Sequence, residues 1–282
     1  MSGSPRIAPF FNDPSLRRFT SDAMKTTFRI FVSGGNPVAV DSAVSEAFLK
    51  LEELEGILSR HVPGSDISRI NRMIEGETLY ISDECDQCLR LAIEATAITG
   101  GRFDPCLGTM IDAVKSGAGM IRDVTGIVSL DEVRPLVECH EAGRVFDLGA
   151  IGKGFALERM GGILATHGIE NALLTSGAST ILALGALDWP IDIPLSSGPR
   201  RLSLRAAALA ASGNSHQGNH IVNPADGSPA EHFENVWVVH PRAPLADAFS
   251  TACFTMSSRE IGEFVTNHQP DCQVLSDPDW RT

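Results

Sequence analysis

The sequence predicts an α+β (mixed α/β) fold built on a partly antiparallel sheet. Two observations carry the prediction. Short runs with apolar residues at period two are interleaved with longer runs at helical spacing, but without the strict strand–helix alternation of a parallel βαβ chain. The length of 282 residues, with 43% apolar and 21% charged side chains, is ordinary for a globular chain and sufficient for a sizeable core. No internal repeat or low-complexity linker divides the chain, so residues 23–282 read as one domain. Residues 1–22, which open MSGSPRIAPFFNDPS, read as a flexible, Pro-containing lead-in.

In order along the chain, residues 26–33 place Phe28, Ile30 and Val32 at period two and predict a strand. Residues 41–60 predict a helix with Val44, Phe48, Leu51 and Leu58 on one stripe. Pro63-Gly64 breaks it, and Ser65 or Asp66 can cap the short turn that follows. A second helix spans 83–98 and stops at Gly100-Gly101. Residues 115–127 are Gly-rich, and 130–138 form a short amphipathic piece. The run 145–154, VFDLGAIGKG, reads as a strand entering a glycine-rich turn, and the helix after it carries Ala156, Met160, Ile163 and Leu164 on one face. Residues 171–185 suggest two buried strands around a Ser/Gly turn. Further strands are expected at 200–205, 235–240 and 272–275, and helices at 246–256 and 258–267.

The net charge of −12 disfavours nucleic acid and anionic lipid as partners, so a polyanionic ligand must be held by local donors. No apolar run reaches the roughly 18 residues a membrane span needs. The N-terminus lacks the basic and apolar regions of a signal peptide. These features predict a cytoplasmic protein, with a periplasmic one as the alternative if the sequence is a piece of a longer chain. Six cysteines in so long a chain are not a disulfide scaffold. Cys85 and Cys88, at i and i+3 with Leu89 and Ala92, read as core positions, because a structural zinc needs four closed ligands. Cys106, Cys253 and Cys272 read as small packed hydrophobes, and Glu52, Glu53 and Glu55 as a solvated helix face.

Four segments could carry chemistry. Gly101-Arg102-Phe103-Asp104-Pro105 follows a helix. Asp147 to Gly154 has the logic of a phosphate or metal cradle: glycines admit a ligand, a helix N-terminus supplies N–H groups, and Lys153 adds charge. Its spacing matches neither standard nucleotide fingerprint, and generic turn chemistry by itself favours a tight turn with a surface lysine. Asp247 and Thr251, at i and i+4, share a helix face and are hard oxygen donors suited to Mg²⁺; a helix-terminal Asp beside a packed Thr is the plainer account. His220 opens the run HIVNPADG and is suited to move a proton near neutral pH.

In this order, the segments resemble the ApbE family, the FAD:protein FMN transferases. The resemblance runs from about Met24 to Thr255, through Ala23-Met24 with Thr26 and Phe28, LSRHVPGSDISRIN, GGRFDP, DLGAIGKGFALER, Ser212-Gly213, HIVNPADG and ADAFSTA. It implies a two-lobed α+β fold with the flavin in a cleft between the lobes. It also implies transfer of the FMN half of FAD, with Mg²⁺, onto a Thr or Ser hydroxyl of a target flavoprotein, with release of AMP. In that scheme Asp247, Thr251 and the carbonyl of Ala150 match metal ligands. Met24, Arg102, Phe103, Asp104, Asp147, Lys153 and Ile221 match FAD contacts, and His220 matches the general base.

The chain departs from the family pattern at several points. Gly177-Ala178-Ser179-Thr180 stands for Gly-Gly-Asp, and His61 for a flavin-stacking aromatic. Glu158 and Asn223 stand where Asp is common, and the residues before His220 lack a Tyr-Gly lead. An FAD-holding protein without transfer activity, and a metal-dependent FAD pyrophosphatase giving FMN and AMP, are the competing expectations.

Overall fold

The computed structural model describes residues 6–7, 13–117, 125–213 and 221–277, except positions 225, 226, 229, 231, 268 and 270. The chain begins with β1 (Arg6–Ile7), β2 (Leu16–Ala23) and β3 (Thr26–Ser33), followed by α1 (Pro37–Leu58) and α2 (Asp66–Ile70). Next come β4 (Thr78–Tyr80), α3 (Asp83–Ile98), α4 (Gly108–Ser116), β5 (Ile127–Leu130) and β6 (Leu136–Glu141). After α5 (Gly152–Thr166) the chain is mainly strand: β7 (Ala172–Ser176), β8 (Thr180–Leu184), β9 (Trp189–Leu195), β10 (Gly198–Leu204), β11 (Ala207–Gly213) and β12 (Asn235–His240). It closes with α6 (Ala243–Thr255), α7 (Ser258–Asn267) and β13 (Gln273–Asp277).

Seven strands form the main sheet in the order β13-β12-β11-β8-β7-β3-β2, and every neighbouring pair is antiparallel. Both faces are covered, and side-chain alternation assigns each residue to a face. Phe28, Ile30, Val32, Leu174, Ala208, Ala210, Val236 and Val238 join the core beneath α1, α5 and α6. The intervening Phe31, Leu173, Leu209 and Trp237 join a second core with Trp189, Ile191 and Ile193 of the β9–β10 hairpin. Burying such a side chain stabilises the fold by about 1.5–3 kcal/mol. A separate small sheet, β4-β6-β5, lies in the part of the chain between β3 and β7.

The structure corrects the sequence reading at four places. Residues 16–22 are no lead-in: β2 pairs with β3 residue for residue from Leu16↔Ser33 to Ala23↔Thr26. Its polar composition suits an edge strand, where Arg17 lies over Phe19 and Arg18 over Phe31. Residues 145–149 form only a bridge, Leu107↔Val145, because their own N–H groups bond loops: Phe146 N–H donates to Asn71 Oδ1 and Asp147 N–H to Pro105 O. The piece at 130–138 is split between the two strands of a hairpin. Helix α1 starts at Pro37, four residues earlier than its apolar stripe suggested, because Asn36 accepts N–H bonds from Val38 and Ala39 and proline fits the first turn.

No helix among the described residues is long and apolar enough to cross a membrane. Cys85, Cys88, Cys139, Cys253 and Cys272 are buried, and Cys106 is partly so. Burial raises the thiols of Cys85, Cys88 and Cys253 far above the ordinary cysteine value, and pushes Cys106 and Cys272 up to about 12. Thiolate is the reactive form. The native protein should therefore react with a thiol reagent at pH 7.5 slowly and at Cys106 first, whereas all six thiols react at once in denaturant. Rapid native modification of Cys85 or Cys88 would contradict their core placement.

Candidate active site

One end of the main sheet gathers the β2–β3 turn, the β7–β8 turn, the last residue of β11 and the first of β12. Over this end lies a cavity of about 600 Å³, closed by the end of α1, residues 102–107, α4 and the turn 147–153. That size is typical of a small-molecule site. All the described residues singled out from the sequence line it: Met24, Arg102, Phe103, Asp104, Asp147, Lys153 and Ile221 of the flavin set, and Ala150, Asp247 and Thr251 of the metal set. His220 lies outside the described residues. Its chain neighbour Ile221 lines the cavity.

Asp247 sits on α6, only 3% exposed. Its Oδ2 accepts the N–H of Gly154 (3.1 Å) in the first turn of α5, and its Oδ1 accepts the Thr180 hydroxyl (3.1 Å). The carboxylate thus caps a helix other than its own, where the helix dipole favours it. Lys153 Nζ lies 3.9 Å from Oδ2 and donates to Gly149 O at 2.6 Å. One turn along α6, Thr251 Oγ1 is within hydrogen-bond reach of Ser212 Oγ (3.2 Å), which also meets the buried Ser250 hydroxyl at 2.9 Å. A carboxylate, a hydroxyl and the Ala150 backbone therefore line one cavity. Each oxygen of Asp247 keeps a second lone pair beyond the bonds described. Hard oxygens with a single carboxylate fit Mg²⁺, which completes its shell with substrate oxygens and water.

The second carboxylate, Asp147, is tied to Arg60, a residue that the sequence reading quoted in a motif but gave no role. Arg60 Nε donates to Asp147 Oδ2 (2.7 Å), and its two terminal nitrogens donate to Asp112 of α4 (2.6 and 2.8 Å). The Arg60 side chain is 9% exposed, and its guanidinium ties the end of α1 to both acids. Its hydrogen bonds, with burial opposing them, hold Asp112 below the ordinary carboxylate range. Arg102 pairs with Glu260 of α7 and reaches Asn223 Oδ1 at 3.3 Å. Asp104 Oδ1 accepts the N–H of Cys106 (2.7 Å), and Phe103 is buried. Burial and the Lys25 and Arg60 cations push His61 below its ordinary value, against Asp147 and Asp112, so its ring is mostly neutral at pH 7.

At the β2–β3 turn, Met24 and Lys25 have φ of 49° and 60°. A two-residue hairpin loop with both φ positive normally takes Asn-Gly or Gly-Gly. Met and Lys there cost about 1 kcal/mol or more each. Glu55 of α1 accepts the Met24 N–H at 2.8 Å, so this acid faces the cavity and does not belong to the solvated face assigned to it with Glu52 and Glu53.

Lys25, Arg60, Arg102, Lys115 and Lys153 all line the cavity, in a chain of net charge −12. The same lining carries Glu55, Asp104, Asp147 and Asp247, and Arg60 and Arg102 are already paired with acids, so Lys25, Lys115 and Lys153 are the cations left to meet an anionic ligand, Lys153 beside Asp247. Asp112 and Glu55 had no motif of their own in the sequence. Arg60 stood inside LSRHVPGSDISRIN and Thr180 in the turn 177–180, but neither had been assigned a role.

Fold and site together define a mixed α+β protein with a ligand-sized cavity at one end of a large antiparallel sheet. Solved structures share this architecture. The ApbE protein of Thermotoga maritima superposes with a TM-score of 0.78 at 24% identity, over 93% of this chain and 94% of that one. The flavin transferase ApbE of Vibrio cholerae superposes with a TM-score of 0.79 at 21% identity, over 93% of each chain. The family model described as "ApbE family" matches residues 24–276, and the chain belongs to that family. The relatives it resembles include the FAD:protein FMN transferase of Treponema pallidum, 27% identical over 82% of this chain and 76% of that protein. The protein of the same name from Chlamydia trachomatis serovar D is 26% identical over 96% and 95%.

Proposed function

We propose that this chain is an FAD:protein FMN transferase that requires a divalent cation, Mg²⁺ by the chemistry of its donors. The observation that carries the reading is that one cavity holds both the oxygen donors Asp247, Thr251 and Ala150 and the cations Lys153, Arg102 and Arg60. The proposed unit is one domain, which β2 extends to Leu16.

In the transfer, a Thr or Ser hydroxyl of a target flavoprotein attacks the FMN-side phosphorus of FAD. A new P–O bond forms, the bridging P–O bond breaks, and AMP leaves with the bridging oxygen. The hydroxyl proton passes to a general base, the role we assign to His220. Such transfers depend on positioning and charge neutralisation more than on covalent chemistry. A metal ion held by Asp247, Thr251 and the Ala150 carbonyl would supply Lewis acidity to the pyrophosphate oxygens. Lys153 adds a point charge beside Asp247, while Arg60 and Arg102, paired with Asp147, Asp112 and Glu260, hold the acids and helices of the cavity wall in place.

The test is to incubate the protein with FAD and Mg²⁺, with and without an acceptor peptide carrying Thr, and to follow AMP release and peptide mass. Covalent FMN on the peptide together with AMP is expected, and excess EDTA should abolish both. AMP with free FMN even when acceptor is present would make the protein a hydrolase. Bound FAD without AMP would make it a flavin-holding protein.

A further inference from the structure

We propose that Glu55 is a positioning residue for the flavin dinucleotide: its carboxylate latches the strained Met24-Lys25 turn over the cavity. The inference rests on the FAD reading above and extends it to a residue with no motif of its own.

Three observations meet here. First, the turn is conformationally unfavourable for its residues, since both φ values lie in the left-handed region and neither residue is Gly or Asn. Strand pairing does not demand these two side chains, because the register runs unbroken to Ala23↔Thr26 and would accept an Asn-Gly loop equally well. Strain retained where a cheaper sequence would serve points to work done by the side chains. Second, Glu55 Oε1 accepts the N–H of Met24 at 2.8 Å, from a helix thirty-one residues further along the chain. An amide in the turn of an edge hairpin could have been left to water. It is bonded instead to a half-buried carboxylate. Third, Met24, Lys25, Thr26 and Glu55 all line the cavity, and Met24 also packs against the main core. The turn is therefore part of the cavity wall, and the bond from α1 fixes its height over the space a ligand would fill.

A latch of this kind acts through Met24 and Lys25 and does not touch the transferred group itself. Without it, the turn can relax toward less strained backbone and withdraw both side chains from the wall. With glutamine in its place, the amide carbonyl can still accept the Met24 N–H.

The test uses the full chain and two readouts. Hydrogen exchange of the ligand-free protein reports the turn, and quenching of flavin fluorescence reports FAD affinity. Glu55→Ala is expected to speed exchange in the peptide covering residues 23–26, to weaken FAD binding about tenfold, and to leave thermal stability within a few degrees of the parent. Glu55→Gln is expected to stay within about twofold of the parent in affinity. Equal FAD affinity in the parent and Glu55→Ala overturns the latch while leaving the transferase reading intact. A Gln variant as weak as the Ala variant also overturns it, because charge and not the hydrogen bond would then be responsible. Failure of the parent itself to quench flavin removes the functional reading, and the inference with it.

Discussion

Asp247→Asn is expected to cut AMP release from FAD by at least about 10³-fold, equivalent to roughly 4 kcal/mol of transition-state stabilisation, while FAD binding falls by no more than about tenfold. The reasoning starts from charge. Asp247 is the carboxylate of the proposed metal set, and the other donors, a hydroxyl and a carbonyl, are neutral. Asparagine keeps the size of the side chain and one carbonyl acceptor but removes the charge that a divalent cation needs. It also turns one amide edge toward either the Gly154 N–H or the Thr180 hydroxyl, both of which now donate to the carboxylate. Leaving one of these donors unpaired should lower stability by about 1–3 kcal/mol. Single-turnover AMP release, Mg²⁺ titration and a thermal melt separate the effects. A folded Asn variant with near-parental turnover would remove Asp247 from the metal site and leave it as the cap of α5.

Gly154→Ala is expected to be the most destabilising small substitution near the site. A Cβ there would lie 2.2 Å from the Ala243 carbonyl oxygen, 2.6 Å from its carbon and 2.8 Å from Pro244 Cα. All three are backbone atoms, so no side chain can move aside and α5 and α6 must part. The expected cost is about 3–5 kcal/mol, or roughly 10 °C in Tm. The same displacement moves Asp247 away from Gly154, so Mg²⁺ dependence should weaken in whatever protein remains folded. Gly162→Ala, in the same helix, meets nothing within 4 Å and is the matched control. It should hold or raise Tm, because alanine is the better helix former. Equal melts for the two variants would refute the close approach of α5 and α6.

The parts of the fold that the sequence revealed are those with a strong local period. The stripe of α1 and the alternation of β3 needed only their own residues to be read. By contrast, β11, Ala207–Gly213, is rich in alanine, a poor strand former, and is a strand because β8 and β12 flank it. In β9, prolines 190 and 194 obscured the alternation of Trp189, Ile191 and Ile193, which is plain once those three are seen against the sheet. The site divides in the same way. Asp147, Lys153, Asp247 and Thr251 stood in segments with recognisable turn or helix spacing. Arg60, Asp112 and Glu55 acquire their roles only through contacts made across long stretches of chain, which no local pattern encodes.

The pairing of β3 with β7 has a consequence for assembly. These strands are neighbours in the sheet, yet roughly 140 residues, including α1 to α5 and the small sheet, lie between them. By the time β3 meets its partner, the ribosome must already have delivered α1 to α5 and the small sheet. The cavity wall is completed later still, when α6 brings Asp247 against Gly154. The joining of β3 to β7 is a natural slow step in folding, since distant pairings form late.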